Sequence, residues 1–206
     1  MKSIILSVSP QEALNILNGK QTALLRKRVP KGFVGWCYLY VSKGEHLVRP
    51  RLIGNSKVRL TSPNFDHSGY DNLNSTIPAR FWWEDAEQIK SEIVYNGVLG
   101  LDYRYNVYWG SFGLEKDEFE NYIGEPINEI KGITDYKAYF IQVKNLEIFD
   151  EPKVLGEFKK YASEKDLKYC FEDSDCEGCK FSKKELECKL LNINSVKNYI
   201  YVEEME

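Results

Sequence analysis

Ile4, Ile5, Leu6 and Val8 fill residues 4–8 with apolar side chains, and that run predicts a strand. Ser9-Pro10-Gln11-Glu12 follows with the marks of a helix start: a hydroxyl at the cap, proline at the first helical position, and a glutamate three residues after the cap that can return a hydrogen bond. Ala13, Ile16 and Leu17 then recur at helical spacing on one face, and Gly19 closes the element. The helix therefore lies against a core, and its far end opens into Lys20-Gln21-Thr22.

Pro30 and Gly32 mark a turn before a β-branched and aromatic run over residues 34–41, which reads as a buried strand. Residues 47–60 read as one or two strands broken near Gly54-Asn55. Residues 61–78, rich in Ser, Asn, Asp, Gly and Pro, read as an extended surface loop or lid. The pattern then predicts a helix over 84–93, strands over 98–109, a short acidic helix over 114–122 stopped by Gly124, and strands over 138–143 and 146–149. About six strands with three or four short helices make an α+β domain with a small mixed or closed sheet.

With 206 residues, 43% of them apolar and 14% aromatic, the chain can bury one core of ordinary size and carry an appendage. Its apolar stretches are far too short for a membrane span, and Ile4 to Leu6 behind Lys2 are too short for a signal-peptide core. The expectation is a soluble, cytoplasmic protein. The net charge of −3 conceals a separation. Residues 1–60 hold eleven Lys and Arg against Glu12 and Glu45, a balance of +9, so the remainder carries −12. Such asymmetry makes one part of an acidic protein attractive to polyanions.

Four of the five cysteines, Cys170, Cys176, Cys179 and Cys188, form a C-x5-C-x2-C-x8-C cluster, while Cys37 stands alone in an apolar strand. The C-x2-C step with Gly178 inside it turns two thiolates toward one ion, and two further cysteines complete a tetrahedral set. Structural zinc is the expectation, with an iron-sulfur cluster or reduced free thiols as alternatives. Glu172, Asp173, Asp175 and Glu177 raise thiol pKa values and so oppose a redox role. The chain has no G-x-S-x-G, Walker loop, H-E-x-x-H or G-x-G-x-x-G, and only His46 and His67 are present as imidazoles.

The run Leu6-Ser7-Val8-Ser9-Pro10, then Ala13, Ile16-Leu17, Gly19-Lys20-Gln21-Thr22 and Leu25-Arg26-Lys27-Arg28 before Pro30, resembles the start of the ASCH domain. The similarity continues through Glu118-Phe119, Tyr122-Ile123-Gly124, residues 138–143, Ile148-Phe149-Asp150, Pro152, Leu155 and Phe158, and returns in Tyr199-Ile200-Tyr201-Val202-Glu203. The resemblance implies a PUA-like small β-barrel with flanking short helices. It divides the chain into a barrel over 1–160, a four-cysteine zinc-binding insertion over 161–192, and a C-terminal strand within 193–206 that returns to the barrel.

The family signature is G-x-K-x-x-E-x-R, and the matching octet runs from Gly19 to Arg26. Here the signature lysine is Gln21 and the signature glutamate is Leu24, and neither can act as a base or nucleophile. What the resemblance then implies is a cleft that accepts RNA, a modified base or a nucleotide. Arg26 and Arg28 alternate in an extended segment and should project to one side, where with Lys31 they meet phosphate, while Gln21 and Thr22 orient a base and the adjacent Lys20 completes the candidate RNA- or nucleotide-binding set. The expected function is non-catalytic binding of RNA or a nucleobase-containing ligand. The alternatives are a hydrolase of amidohydrolase or ribonuclease type and a protein-interaction module with structural zinc.

Overall fold

The computed structural model describes residues 2–51, 57–95, 101–105, 109–130, 133–161, 193 and 196–203. In chain order its elements are β1 (Lys2–Val8), α1 (Pro10–Leu17), β2 (Ala23–Arg26), β3 (Gly35–Val41), β4 (His46–Pro50), β5 (Arg59–Thr61), β6 (Tyr70–Asn72), β7 (Ile77–Trp83), β8 (Glu87–Tyr95), β9 (Leu101–Tyr105), α2 (Lys116–Ile123), β10 (Pro126–Ile130), β11 (Ile133–Gln142), β12 (Lys144–Lys153) and β13 (Tyr199–Glu203). Two single-turn 3₁₀ helices lie at Trp109–Phe112 and Leu155–Glu157. No helix among the described residues is long and apolar enough to cross a membrane.

Among the described residues three sheets carry the fold. The first has the order β12-β7-β3-β1-β13, the second β10-β11-β8-β9 with β2 also on β11, and the third is the small β5-β4-β6. Pairing is antiparallel except for β1 against β3, the parallel pair whose crossover contains α1. β2 divides two cores. Leu24 points into the main cluster with Ile4, Leu6, Ile16, Leu39 and Phe81, whereas Ala23 and Leu25 point into a second cluster with Ile89, Phe119 and Ala138.

The small closed sheet expected of a barrel is not found: among the described residues β12 and β13 stand at opposite ends of the first sheet and the sheets are open. They meet at a corner instead. β7 leaves the first sheet at Trp83 and enters the second as β8 at Glu87, while its neighbour passes from β11 to β12 at Val143. The ladder is intact on each side, with Trp82 opposite Lys144 and Glu87 opposite Phe140. A register shift beyond Lys144 and the positive φ of 49° at Asn145 supply the bend.

Two local expectations are corrected. The helix expected over 84–93 is replaced by β8, because Ile89 and Ser91 are buried while Lys90 between them is exposed, a period of two set by pairing with β11. Residues 61–78 are not a free lid. Tyr70–Asn72 pairs with β4, and Leu73, fully buried, donates its N–H to the Leu47 carbonyl at 2.8 Å. The first helix forms as read, with Ser9 Oγ accepting from the Glu12 N–H at 3.1 Å. The Glu12 carboxylate does not return to the cap, because Arg26 holds it.

Candidate functional site

Residues 27–34 run from the end of β2 toward the start of β3, past the corner where β7 turns into β8. Between them lies a cleft of about 670 Å³. Its apolar floor is Phe33 and Trp83, whose rings meet edge to face at 5.8 Å and 84°. Tyr139 of β11 and Tyr199 of β13 form walls, and Tyr201 packs behind at 6.1 Å from Phe33. Gly35 permits this floor. A Cβ there would stand 3.0 Å from the Lys2 carbonyl oxygen and 3.3 Å from the Phe33 ring, at a φ of 150°.

The two lips carry opposite charge. Lys27, Arg28 and Lys31 lie on one, Glu84 and Asp85 on the other. Arg28 and Lys31 are exposed, and among the described residues neither side chain has a hydrogen-bond or ion-pair partner. Lys27 is held: its Nζ donates to the Ile123 carbonyl at 2.9 Å and lies 5.1 Å over the Tyr122 ring. Burial, and then the charge of Lys137, lower its pKa from the ordinary value. Across the cleft Glu84 pairs with Lys144, and the hydrogen bond between them raises the Lys144 pKa.

Arg26 does not open onto this cleft beside Arg28. Its guanidinium forks onto Glu12, Nη1 to Oε1 at 2.8 Å and Nη2 to Oε2 at 2.9 Å, and also donates to the carbonyls of Leu25 at 2.7 Å and Ser7 at 3.3 Å. Burial alone would lower its pKa; the Glu12 carboxylate outweighs that and raises it. The expectation that both arginines project to one side fails because β2 ends at Arg26: alternation stops there, and the chain turns at Lys27.

Gln21 is likewise internal. Its amide donates to the Ala23 carbonyl at 2.8 Å and only 4% of its surface is exposed, so it offers no edge to a base. Thr22 and Lys20 are exposed at the helix end but do not line the cleft, and the Thr22 backbone bonds Ser111 and Val143. Leu24, at the signature glutamate position, is fully buried in the main core. Of the six residues read as ligand-binding, the structure therefore brings Arg28 and Lys31 together at one cleft and places the other four elsewhere. The aromatic components Phe33, Trp83, Tyr139 and Tyr199 and the acids Glu84 and Asp85 were missed. Alternation along β7 was the available signal, since it turns Trp83 inward and sends Trp82 to the opposite face, edge-on to Trp36 at 5.3 Å. Cys170, Cys176, Cys179 and Cys188 lie outside the described residues.

No protein-family model and no curated protein matches the chain. Among solved structures, the chain is similar to the crystal structure of ASCH from Zymomonas mobilis, at 13% identity over 83% of this chain and 80% of that one, with a TM-score of 0.35. Two single-residue variants of that protein match at 13% and 14% identity, covering 84% and 83% of this chain and 84% and 80% of theirs, with TM-scores of 0.34 and 0.35.

Proposed function

We propose that the protein binds a nucleobase-containing anion, a nucleotide or a short single-stranded RNA segment, in the cleft between residues 27–34 and the β7–β8 corner, without covalent chemistry. The observation that carries this reading is the meeting of two cations without a partner among the described residues, Arg28 and Lys31, with an aromatic floor and walls in one recess. Phosphate suits the cations, and a planar base suits the Tyr139 and Tyr199 faces. The acids on the far lip accept hydrogen bonds from the exocyclic amines of a base and repel a second phosphate. That polarity orients the guest.

The decisive experiment measures equilibrium binding of mononucleotides and short single-stranded RNA across a salt series, alongside identification of any ligand that copurifies. Each neutralised phosphate on a single strand contributes about 0.7 to the slope of log K against log salt, so Arg28→Ala with Lys31→Ala should flatten it by about 1.4. Tyr139→Ala should weaken base-containing ligands by about 1–3 kcal/mol and leave inorganic phosphate unaffected. Affinity indifferent to salt and to both variants refutes the proposal. Turnover of RNA or of a modified nucleoside would replace it with the hydrolytic reading. The reading includes a structural zinc ion held by Cys170, Cys176, Cys179 and Cys188, as their spacing suggests.

A further inference from the structure

The cleft holds opposite charges on its two lips without joining them. Arg28 and Lys31 stand on one lip, and among the described residues no ion pair crosses from them to Glu84 or Asp85. On the far lip Lys144, which does not line the cleft, pairs with Glu84 and offsets its charge. Asp85 is exposed and makes no hydrogen bond or ion pair among the described residues, so it leaves that lip negative. The rings between the lips are open to a cation as well. Behind the floor, Lys2 Nζ lies 3.6 Å over the Tyr201 ring. In the cleft itself no Lys or Arg among the described residues lies over Tyr139 or Tyr199, the half-buried walls.

We infer that the guest carries positive charge on its base: a nucleotide whose base is a delocalised cation at neutral pH, as methylation of a ring nitrogen makes it. This rests on the nucleotide reading of the cleft and narrows it to one class of nucleotide. Each unmet feature then has a counterpart. Phosphate meets Arg28 and Lys31, the flat cation lies against the Tyr139 and Tyr199 rings, whose faces are negative, and Asp85 stands beside the cation's edge. A neutral base meets the same rings by stacking alone and leaves the Asp85 charge unanswered. The separation of the two lips also excludes the reverse orientation, because phosphate against Asp85 and a cationic base against Arg28 and Lys31 would both be repelled.

The test uses two isomers. 1-Methyladenosine 5′-monophosphate and N6-methyladenosine 5′-monophosphate share the same heavy atoms, but at pH 7 only the first carries charge on its base. Equilibrium binding of each to the intact protein is measured by calorimetry at one salt concentration. The cationic isomer should bind about tenfold more tightly. Asp85→Asn keeps the side-chain volume and an acceptor oxygen, and it should cut that ratio by about threefold or more. Since Asp85 holds no hydrogen bond or ion pair among the described residues, the variant folds as the parent does. A ratio near or below one, or a ratio that Asp85→Asn leaves unchanged, overturns the inference and leaves nucleotide binding standing. Failure of both isomers and of AMP to bind removes the nucleotide reading along with it.

Discussion

Exchanging Glu12 for Gln tests whether Arg26 is part of the scaffold or part of a ligand site. The substitution keeps the side-chain volume and leaves the Ser9 cap intact, because that bond uses the Glu12 backbone N–H. It removes the carboxylate that accepts two guanidinium bonds of 2.8 and 2.9 Å. Arg26 is 18% exposed and Glu12 20%, so the pair sits nearer the buried than the surface limit. Breaking a fully buried pair costs about 3–5 kcal/mol; residual exposure, together with the carbonyls of Leu25 and Ser7 that still accept from Arg26, brings the expectation to about 2–3 kcal/mol. Arg26→Met should cost about 1–3 kcal/mol, because the freed carboxylate can turn toward water. The double variant should lose less than the sum, with a coupling of about 2 kcal/mol. Urea unfolding at pH 7 with unchanged m-values measures all three, and ligand binding is measured under native conditions in parallel. If Arg26→Met weakens ligand binding tenfold or more while the unfolding midpoint stays put and the coupling is near zero, Arg26 belongs to the ligand and the scaffold role is wrong.

Other outcomes follow from single positions. Gly113→Ala should destabilise by about 1–2 kcal/mol in urea unfolding, mostly through backbone strain at its φ of 66°, since the atom its Cβ would meet at 2.8 Å is the mobile end of Asn15. Burial holds the Cys37 thiol well above its ordinary value of 9.0. The unfolded chain therefore releases that proton first, and stability should fall as pH rises past about 9, by up to about 1.4 kcal/mol per pH unit, a decline that Cys37→Ala should flatten relative to wild type. Elemental analysis of the purified protein should find zinc, retained through dialysis and released by Cys176→Ser; iron with visible absorbance, or no metal at all, would displace the zinc assignment.

Local chemistry was legible wherever one element decides its own conformation. The cap at Ser9, the apolar face of Ala13 and Ile16, and the run ending β3 at Val41 all form as the pattern reads. Legibility failed where a distant ladder decides. Residues 84–93 read as a helix, and the pairing of Glu87–Tyr95 with β11 and β9 makes it a strand. The basic amino-terminal third misled for a similar reason. Its charge is real, but Arg26 answers Glu12, while Arg49 and Arg51 answer Asp71 and Arg49 also the carbonyls of Phe149 and Asp150. A count of cations cannot say which of them already have partners inside the fold.

The position of the cleft follows from the same two facts. β2 is a wall with apolar residues on both sides, Leu24 toward one core and Ala23 and Leu25 toward the other, so it has no free face on which to present polar chemistry. Polar side chains of that stretch become available only past Arg26, where the chain leaves the sheet. On the facing side the ladder bends, and residues 84–86 lie between β7 and β8 outside both ladders. A strand that runs out and a strand pair that turns away leave a gap between them. Phe33 and Trp83 line its base because each is anchored in the main core, and the charged residues stand at its rim, Glu84 paired with Lys144 and Arg28 and Lys31 without a partner among the described residues.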